Sequence, residues 1–310
     1  MSYYSANQYY KSVFNSKVYK ISLNGGMTCP NRDGTKGRGG CIFCSNKGSG
    51  DFSPVSSMSI NSQIEESIAR VRDKIKENKF IAYFQSFTNT YAPVSYLENI
   101  FIQAINHPSV VGLSIGTRPD CLGDDVLQLL DKLNKIKPVF VEIGLQTIHE
   151  KTAEYINRCY PLSTFDTAVK NLKSIGVNVI VHTIIGLPDE TEEMIYQTVD
   201  YVGKSGADGI KLQLLHILEN TALADDYSKG KFSTLTLEKY TEIICNCIEI
   251  IPASMVIHRI TGDGAKNILI APLWSGNKKL VLNTINKAIK EQNIVQGSKS
   301  SQDILRKINI

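Results

Sequence analysis

The sequence predicts an α/β fold, a partial parallel (β/α)6 barrel, on three observations. Short apolar runs begin at residues 80, 110, 139, 177 and 209, about every 30 residues, which is the length of a βα unit. The stretches between them carry apolar residues three and four apart, the mark of helices that bury one face. With an earlier run at 18–23 there are six units, more than an open sheet requires, so closure towards a barrel is favoured. An open doubly wound sheet is the alternative.

Taken in order, the first strand is 18–23 (Val-Tyr-Lys-Ile-Ser-Leu). A long Gly-rich loop follows. The first helix spans 60–77, where Ile64, Ile68, Val71 and Ile75 share a face. Strands are expected at 80–84, 110–115, 139–143, 177–181 and 209–214. Helices at 124–133 and 165–175 lie between them, each with an apolar stripe. A weaker strand candidate is 255–258. The organisation expected is residues 1–50 as an N-terminal extension with the first strand and the loop, 51–260 as the barrel, and 261–310 as a C-terminal extension.

Composition narrows the function classes. At 42% hydrophobic and 21% charged residues the chain can bury a large core, so disorder is excluded. No apolar run approaches the roughly 20 residues that span a bilayer. Residues 1–5 lack a basic segment followed by an apolar one, so a cytoplasmic protein is expected. The net charge of +4 is unevenly placed. Residues 1–50 carry +6, with Lys11, Lys17, Lys20, Arg32, Lys36, Arg38 and Lys47 against Asp33. Such a segment suits phosphates or nucleic acid, or is a solvated basic face. Tyr3, Tyr4, Tyr9 and Tyr10 could stack on bases or pack as an N-terminal extension.

Seven cysteines without a secretory signal argue against a disulfide framework. Cys29, Cys41 and Cys44 share the Gly-rich loop. Zinc would want a fourth ligand, and no second Cys-x-x-Cys or His pair supplies one. A redox Cys41/Cys44 pair would leave Cys29 unexplained. Three thiolates in a loop whose backbone N–H groups can face an anion suit a [4Fe–4S] cluster with one iron open. Cys121, Cys159, Cys245 and Cys247 read as structural.

In parallel α/β folds, ligands sit beyond the C-terminal strand ends. The stretches there include 85–90, 116–120, 144–147, 182–188 and 215–216.

The three cysteines, the aromatic Phe43 before the last of them and the βα repeat together resemble the radical S-adenosylmethionine superfamily. The eleven-residue gap from Cys29 to Cys41 is similar to that of the Elongator-type subfamily. Asn24-Gly25-Gly26, Cys29-Pro30-Asn31-Arg32-Asp33-Gly34, Gly116-Thr117-Arg118-Pro119-Asp120 and residues 258–264 resemble the YhcC/YtqA group along nearly the whole chain. The resemblance implies a barrel of the radical S-adenosylmethionine type, one [4Fe–4S] cluster on Cys29, Cys41 and Cys44, and S-adenosylmethionine on the open iron. It implies reductive cleavage of that cofactor to a 5′-deoxyadenosyl radical. Likeness to the oxygen-independent coproporphyrinogen oxidases places Gln146 and Arg158 on the cofactor, Arg158 holding its carboxylate. By position, Ser86 and Thr88, Gly116, His182, Gly186 and Leu215 complete the contacts; no catalytic side chain is assigned.

The group resemblance implies tRNA as substrate, with 5-carboxymethylaminomethyluridine at the wobble position converted to 5-aminomethyluridine. The length leaves no room for the Elongator acetyltransferase domain. An electron donor such as flavodoxin or ferredoxin is implied. A small-metabolite or protein substrate, and a metal-containing binding module without turnover, are the other readings. Reconstituted Cys29→Ala, Cys41→Ala and Cys44→Ala proteins are each expected to lose cluster iron, whereas Cys247→Ala retains it. Iron and sulfide counts check this, and a full cluster in Cys29→Ala overturns the assignment.

Overall fold

The computed structural model describes residues 3–301 apart from 49, 52, 75, 76 and 263. Seven parallel strands run in the order β1 (Tyr19–Leu23), β2 (Phe80–Phe84), β3 (Val110–Thr117), β4 (Val139–Gln146), β5 (Asn178–Ile185), β6 (Gly209–Leu214) and β8 (Val256–Arg259). The sixfold expectation is thus extended by one strand, formed by the weak candidate at 255–258. A short antiparallel pair, β7 (Ile217–Leu218) with β9 (Leu269–Ala271), follows the barrel. Ten helices are α1 (Ala6–Phe14), α2 (Ile60–Ala69), α3 (Val94–Ile105), α4 (Asp124–Asn134), α5 (Glu150–Tyr155), α6 (Leu162–Ser174), α7 (Glu192–Lys204), α8 (Ala222–Ser228), α9 (Leu237–Ile250) and α10 (Lys278–Glu291) among the described residues.

The sheet curls into a half-barrel. Lys20 on edge strand β1 pairs with Glu142 on β4, three strands away. A flat sheet would set those strands about 14 Å apart, beyond the reach of the two side chains. One set of alternate residues (Leu23, Phe84, Ile115, Val141, Val181, Leu212) packs outward in the main core, which the helices cover. At the N-terminal end of the barrel Ile81, Phe140 and Ile180 form an apolar plug with Tyr10, Tyr9 and Phe14 of α1.

The N-terminal tyrosines are therefore packed. Tyr9 and Tyr10 meet Phe140 edge-on at 6.3 and 5.7 Å, and the Tyr9 hydroxyl donates to Asn178 Oδ1 at 3.0 Å. A Ser5–Gln8 capping box starts α1. The helix expected at 60–77 ends at Ala69, with a 3-10 turn at Arg72–Lys74. Ile75 and Asp263 of the sequence reading lie outside the described residues. The helix expected at 165–175 begins earlier, directly after Pro161. No helix among the described residues is long and apolar enough to cross a membrane.

Phe140→Ala removes the ring shared by Tyr9 and Tyr10. Such a deletion costs about 3–5 kcal/mol, to be read as a lowered urea midpoint.

Candidate functional site

Inward-facing side chains above the plug are polar. Glu142, fully buried, accepts from Lys20 on β1, from Ser114 on β3 (2.6 Å), from His182 on β5 (2.7 Å) and from Lys211 on β6. Burial alone would raise its pKa, but Lys20 and Lys211 overrule that and hold the carboxyl well below its usual range. His182 also lies 3.2 Å from Gln213 Nε2, and burial with Lys211 nearby pushes it down to about 4, leaving it neutral. Lys20 and Lys211 each lie 5.0 Å from the Tyr83 ring centroid.

Above this layer opens a cavity that Cys29, Cys41 and Cys44 line together with Glu142, His182 and Lys211. The cysteine loop is held by buried Asn31, whose Nδ2 donates to the Asn157 carbonyl at 2.5 Å and whose carbonyl accepts from Gly40 N at 2.7 Å. Asn157 answers by donating to the Gly40 carbonyl at 2.8 Å. Arg32 donates to the carbonyls of Cys44 and Ser45. Two glycines are required by close approach: a Cβ on Gly37 would lie 2.1 Å from Asn31 Oδ1, and Gly40, at φ +86°, would meet Arg32 Nε at 2.9 Å.

Burial pushes the Cys41 thiol up to about 12, with Cys44 and Cys29 adding to the shift. Cationic iron beside the Cys41 sulfur would offset that cost of ionising it. Among the described residues no three His, Cys, Asp or Glu side chains meet closely enough to hold a single metal ion. A cluster takes one thiolate per iron, so its ligands stand apart where those of a lone zinc converge. Gln146, at φ +70°, adds an orphaned acceptor, since its Oε1 is buried without a partner and the residue lines the cavity. The thiols and this amide oxygen fit a soft cluster with a polar ligand beside it.

Of the residues read from sequence, Thr88, Gly116, Gln146, Arg158 and His182 line the cavity. Ser86 does not; it is buried, and its Oγ lies 1.9 Å from where a Cβ on Gly50 would stand. Gly186 turns the chain at φ +88° against Leu235. Leu215 lines a second cavity, which shares Phe43, Gln85, Ile184, Gln213 and Arg259 with the first. Arg158 is fully engaged by its own chain: its Nε donates to the Tyr160 carbonyl, Nη1 to those of Leu145 and Thr147, and Nη2 to the Glu150 carboxylate. An incoming carboxylate has to displace Glu150, whose side chain is half exposed.

Sequence reasoning missed Lys20, Lys211, Tyr83, Gln213 and the cavity guanidinium of Arg118, which grips Asp120 with two 2.9 Å bonds. The signal for Lys211 and Gln213 was the period of two in β6, which puts both on the face of the sheet away from Leu212 and Leu214. Cys245 and Cys247 are buried in α9 as expected. Cys159 is exposed and lies beside the cysteine loop, 2.9 Å from a Cβ on Gly37.

A curled parallel half-barrel with three cysteines at the mouth of its polar interior defines a class, and the comparisons place the chain in it. Residues 29–202 match the Radical SAM superfamily and 207–291 the Radical_SAM C-terminal domain. The chain belongs to the radical S-adenosylmethionine superfamily, whose cofactors are a [4Fe–4S] cluster and S-adenosylmethionine. Within it the chain falls in the YhcC/YtqA group. The uncharacterized protein YtqA of Bacillus subtilis is 44% identical over 295 residues, covering 95% of this chain and 92% of YtqA. The tRNA uridine(34) acetyltransferase of Methanocaldococcus jannaschii is 27% identical over 174 residues, 54% of this chain and 31% of that protein. In fold, an N-terminally truncated Elp3 from Methanocaldococcus infernus superposes with a TM-score of 0.67 at 18% identity, covering 90% of this chain and 64% of that one.

Arg158→Ala takes the guanidinium donor from the carbonyls of Tyr160 and Thr147, while that of Leu145 keeps Thr147 N. A loss of about 2–4 kcal/mol is expected, read as a lowered Tm before any cofactor is added.

Proposed function

We propose that this radical S-adenosylmethionine enzyme modifies the wobble uridine of tRNA, taking 5-carboxymethylaminomethyluridine to 5-aminomethyluridine. The observation that carries the substrate class is the relative named for tRNA uridine 34, similar over 54% of this chain. Exposed Lys36, Arg38 and Lys47 on or beside the cysteine loop support it, since they offer phosphate contacts next to the site. The remaining basic residues of the first fifty are dispersed. Lys20 turns into the barrel, Arg32 is tied to loop carbonyls, and Lys11 and Lys17 lie on and just after the plug helix.

In this reading Cys29, Cys41 and Cys44 would hold three irons and S-adenosylmethionine would occupy the cavity lined by Thr88, Gly116, Gln146, Arg158 and His182, with Leu215 lining the adjoining cavity and Gly186 and Ser86 lining neither. When bound, the two cofactors supply a one-electron route to hydrogen abstraction from an unactivated carbon. The protein's own part is position and exclusion of water. Gln146 offers its unpaired Oε1 to an N–H donor, and neutral His182 presents an imidazole held by Glu142. In this reading the hydrogen removed is one on the glycine-like carbon of the carboxymethylamino group. A flavodoxin or ferredoxin supplies the electron. Residues 1–50 form the N-terminal extension and cluster loop, 51–260 the barrel and 261–310 the C-terminal extension.

Nucleoside mass spectrometry on tRNA from a strain lacking the gene is expected to show 5-carboxymethylaminomethyluridine accumulating and the aminomethyl form lost. Unchanged wobble uridines move the substrate to a small metabolite or a protein.

A further inference from the structure

Asn31 directs its side-chain amide at one of the three cysteine sulfurs. The residue is 0% exposed, shut inside the cysteine loop. Its Nδ2 carries two hydrogens and has two acceptors, the Asn157 carbonyl at 2.5 Å and the Cys41 sulfur at 3.5 Å. Its Oδ1 is buried with no partner. An unpaired buried amide oxygen is costly, yet turning the amide over brings no relief. The oxygen would then face the Asn157 carbonyl and the Cys41 sulfur, two acceptors. The amide is thus committed to donation. Gly37 closes its back, where a Cβ would stand 2.1 Å from Oδ1.

The sulfur that receives this bond is held from both sides. Before Cys41, Gly40 N donates to the Asn31 carbonyl at 2.7 Å, and the Gly40 carbonyl accepts from Asn157 Nδ2 at 2.8 Å. After it, Ile42 N donates to the Ile156 carbonyl at 3.2 Å, and the Ile42 carbonyl accepts from Leu223 N at 3.0 Å. Cys41 therefore sits between residues tied to the segment after α5 and to the start of α8. Asn31 is tied to that same segment through the Asn157 carbonyl. Donor and sulfur share one frame. The neighbouring Arg32 does a different job, since its guanidinium goes to the carbonyls of Cys44 and Ser45 and holds chain, not sulfur.

Taking up an electron makes the thiolate sulfurs around an iron–sulfur cluster more negative. A hydrogen bond to one of them favours the reduced form, and such bonds help to set the cluster's potential. Burial keeps water from competing for the bond and strengthens it. We propose that Asn31 is a positioning residue that raises the reduction potential of the cluster through its N–H···S bond to Cys41. It eases uptake of the one electron, from a flavodoxin or ferredoxin, that cleavage of S-adenosylmethionine consumes. The proposal rests on Cys41 being a cluster ligand.

The test uses reconstituted protein whose asparagine side-chain amides are labelled with nitrogen-15, reduced and read by pulsed EPR. Wild type is expected to show a labelled nitrogen coupled to the reduced cluster, and Asn31→Leu to lack that coupling. In a redox titration followed by EPR, Asn31→Leu is expected to be about tenfold harder to reduce, a drop of about 59 mV for one electron. Asn157→Gly is the control, with glycine suited to the φ of +56° there. It removes the bond to the Gly40 carbonyl but leaves the Asn31 amide in place, so coupling and potential are expected to match wild type. No coupling in wild type overturns the proposal. An unchanged potential in Asn31→Leu does so too, as does an equal drop in Asn157→Gly, which traces the effect to loop geometry. If Asn31→Leu takes up no cluster, Asn31→Ala, which also lacks the N–H, replaces it in the titration, and the wild-type coupling decides in either case. A full cluster in Cys41→Ala sinks the ligand assignment and the proposal with it; lost iron there with no coupling in wild type sinks the proposal alone.

Discussion

The buried carboxylate of Glu142 sets the terms for everything around it. An ion of that size out of water is destabilising by several kcal/mol unless its lone pairs are filled. Here they are filled from four different strands, β1, β3, β5 and β6, and those strands can converge on one carboxylate only if the sheet is curled. Glu142 and two of these groups, His182 and Lys211, line the cavity. Curvature, cavity lining and site polarity thus share one cause, and a substitution at Glu142 disturbs all three together.

Above and below that layer the barrel interior changes character abruptly. The plug of Ile81, Phe140 and Ile180 under Tyr9 and Tyr10 is apolar and closed, and the cavity on the other side is lined by thiols, amides and cations. The cysteine loop is fixed to the barrel by reciprocal bonds between Asn31, Gly40 and Asn157, so the thiols are positioned by the segment after α5 as well as by the loop itself.

Much of this was legible in the chain. Strand β2 is buried along its whole length, and a strand covered on both faces reads as an unbroken apolar run. The cysteine spacing marked the loop, because soft ligands among glycines have few other uses. Directions were harder to read. Lys211 and Glu142 were visible as polar positions within strands, but which face points inward is decided by the closure of the sheet. The spacing that singled out Arg158 located a buried guanidinium without showing that Glu150 and three carbonyls already hold it. Strands β7 and β9, two and three residues long, are too short to carry a periodic signal, and α1 hides among tyrosines that serve equally for stacking or packing.

The seventh strand, β8, joins two distant parts of the sequence. Ile257 N donates to the Tyr4 carbonyl at 2.8 Å, and Ser5 forms a parallel bridge with Ile257. Tyr4 N in turn donates to Gln296 Oε1 at 2.7 Å, and the Gln296 amide holds the carbonyls of Pro252 and Met255. Residues 4 and 296 are thus stitched together across the free edge of the sheet. During synthesis from the ribosome, Tyr4 and Ser5 emerge about 250 residues before Ile257, their partner on β8, so this N-terminal segment waits unpaired until that strand is made. At roughly 5–20 residues per second that wait lasts on the order of tens of seconds. The length of that wait is set by translation speed and not by the stability of the finished fold.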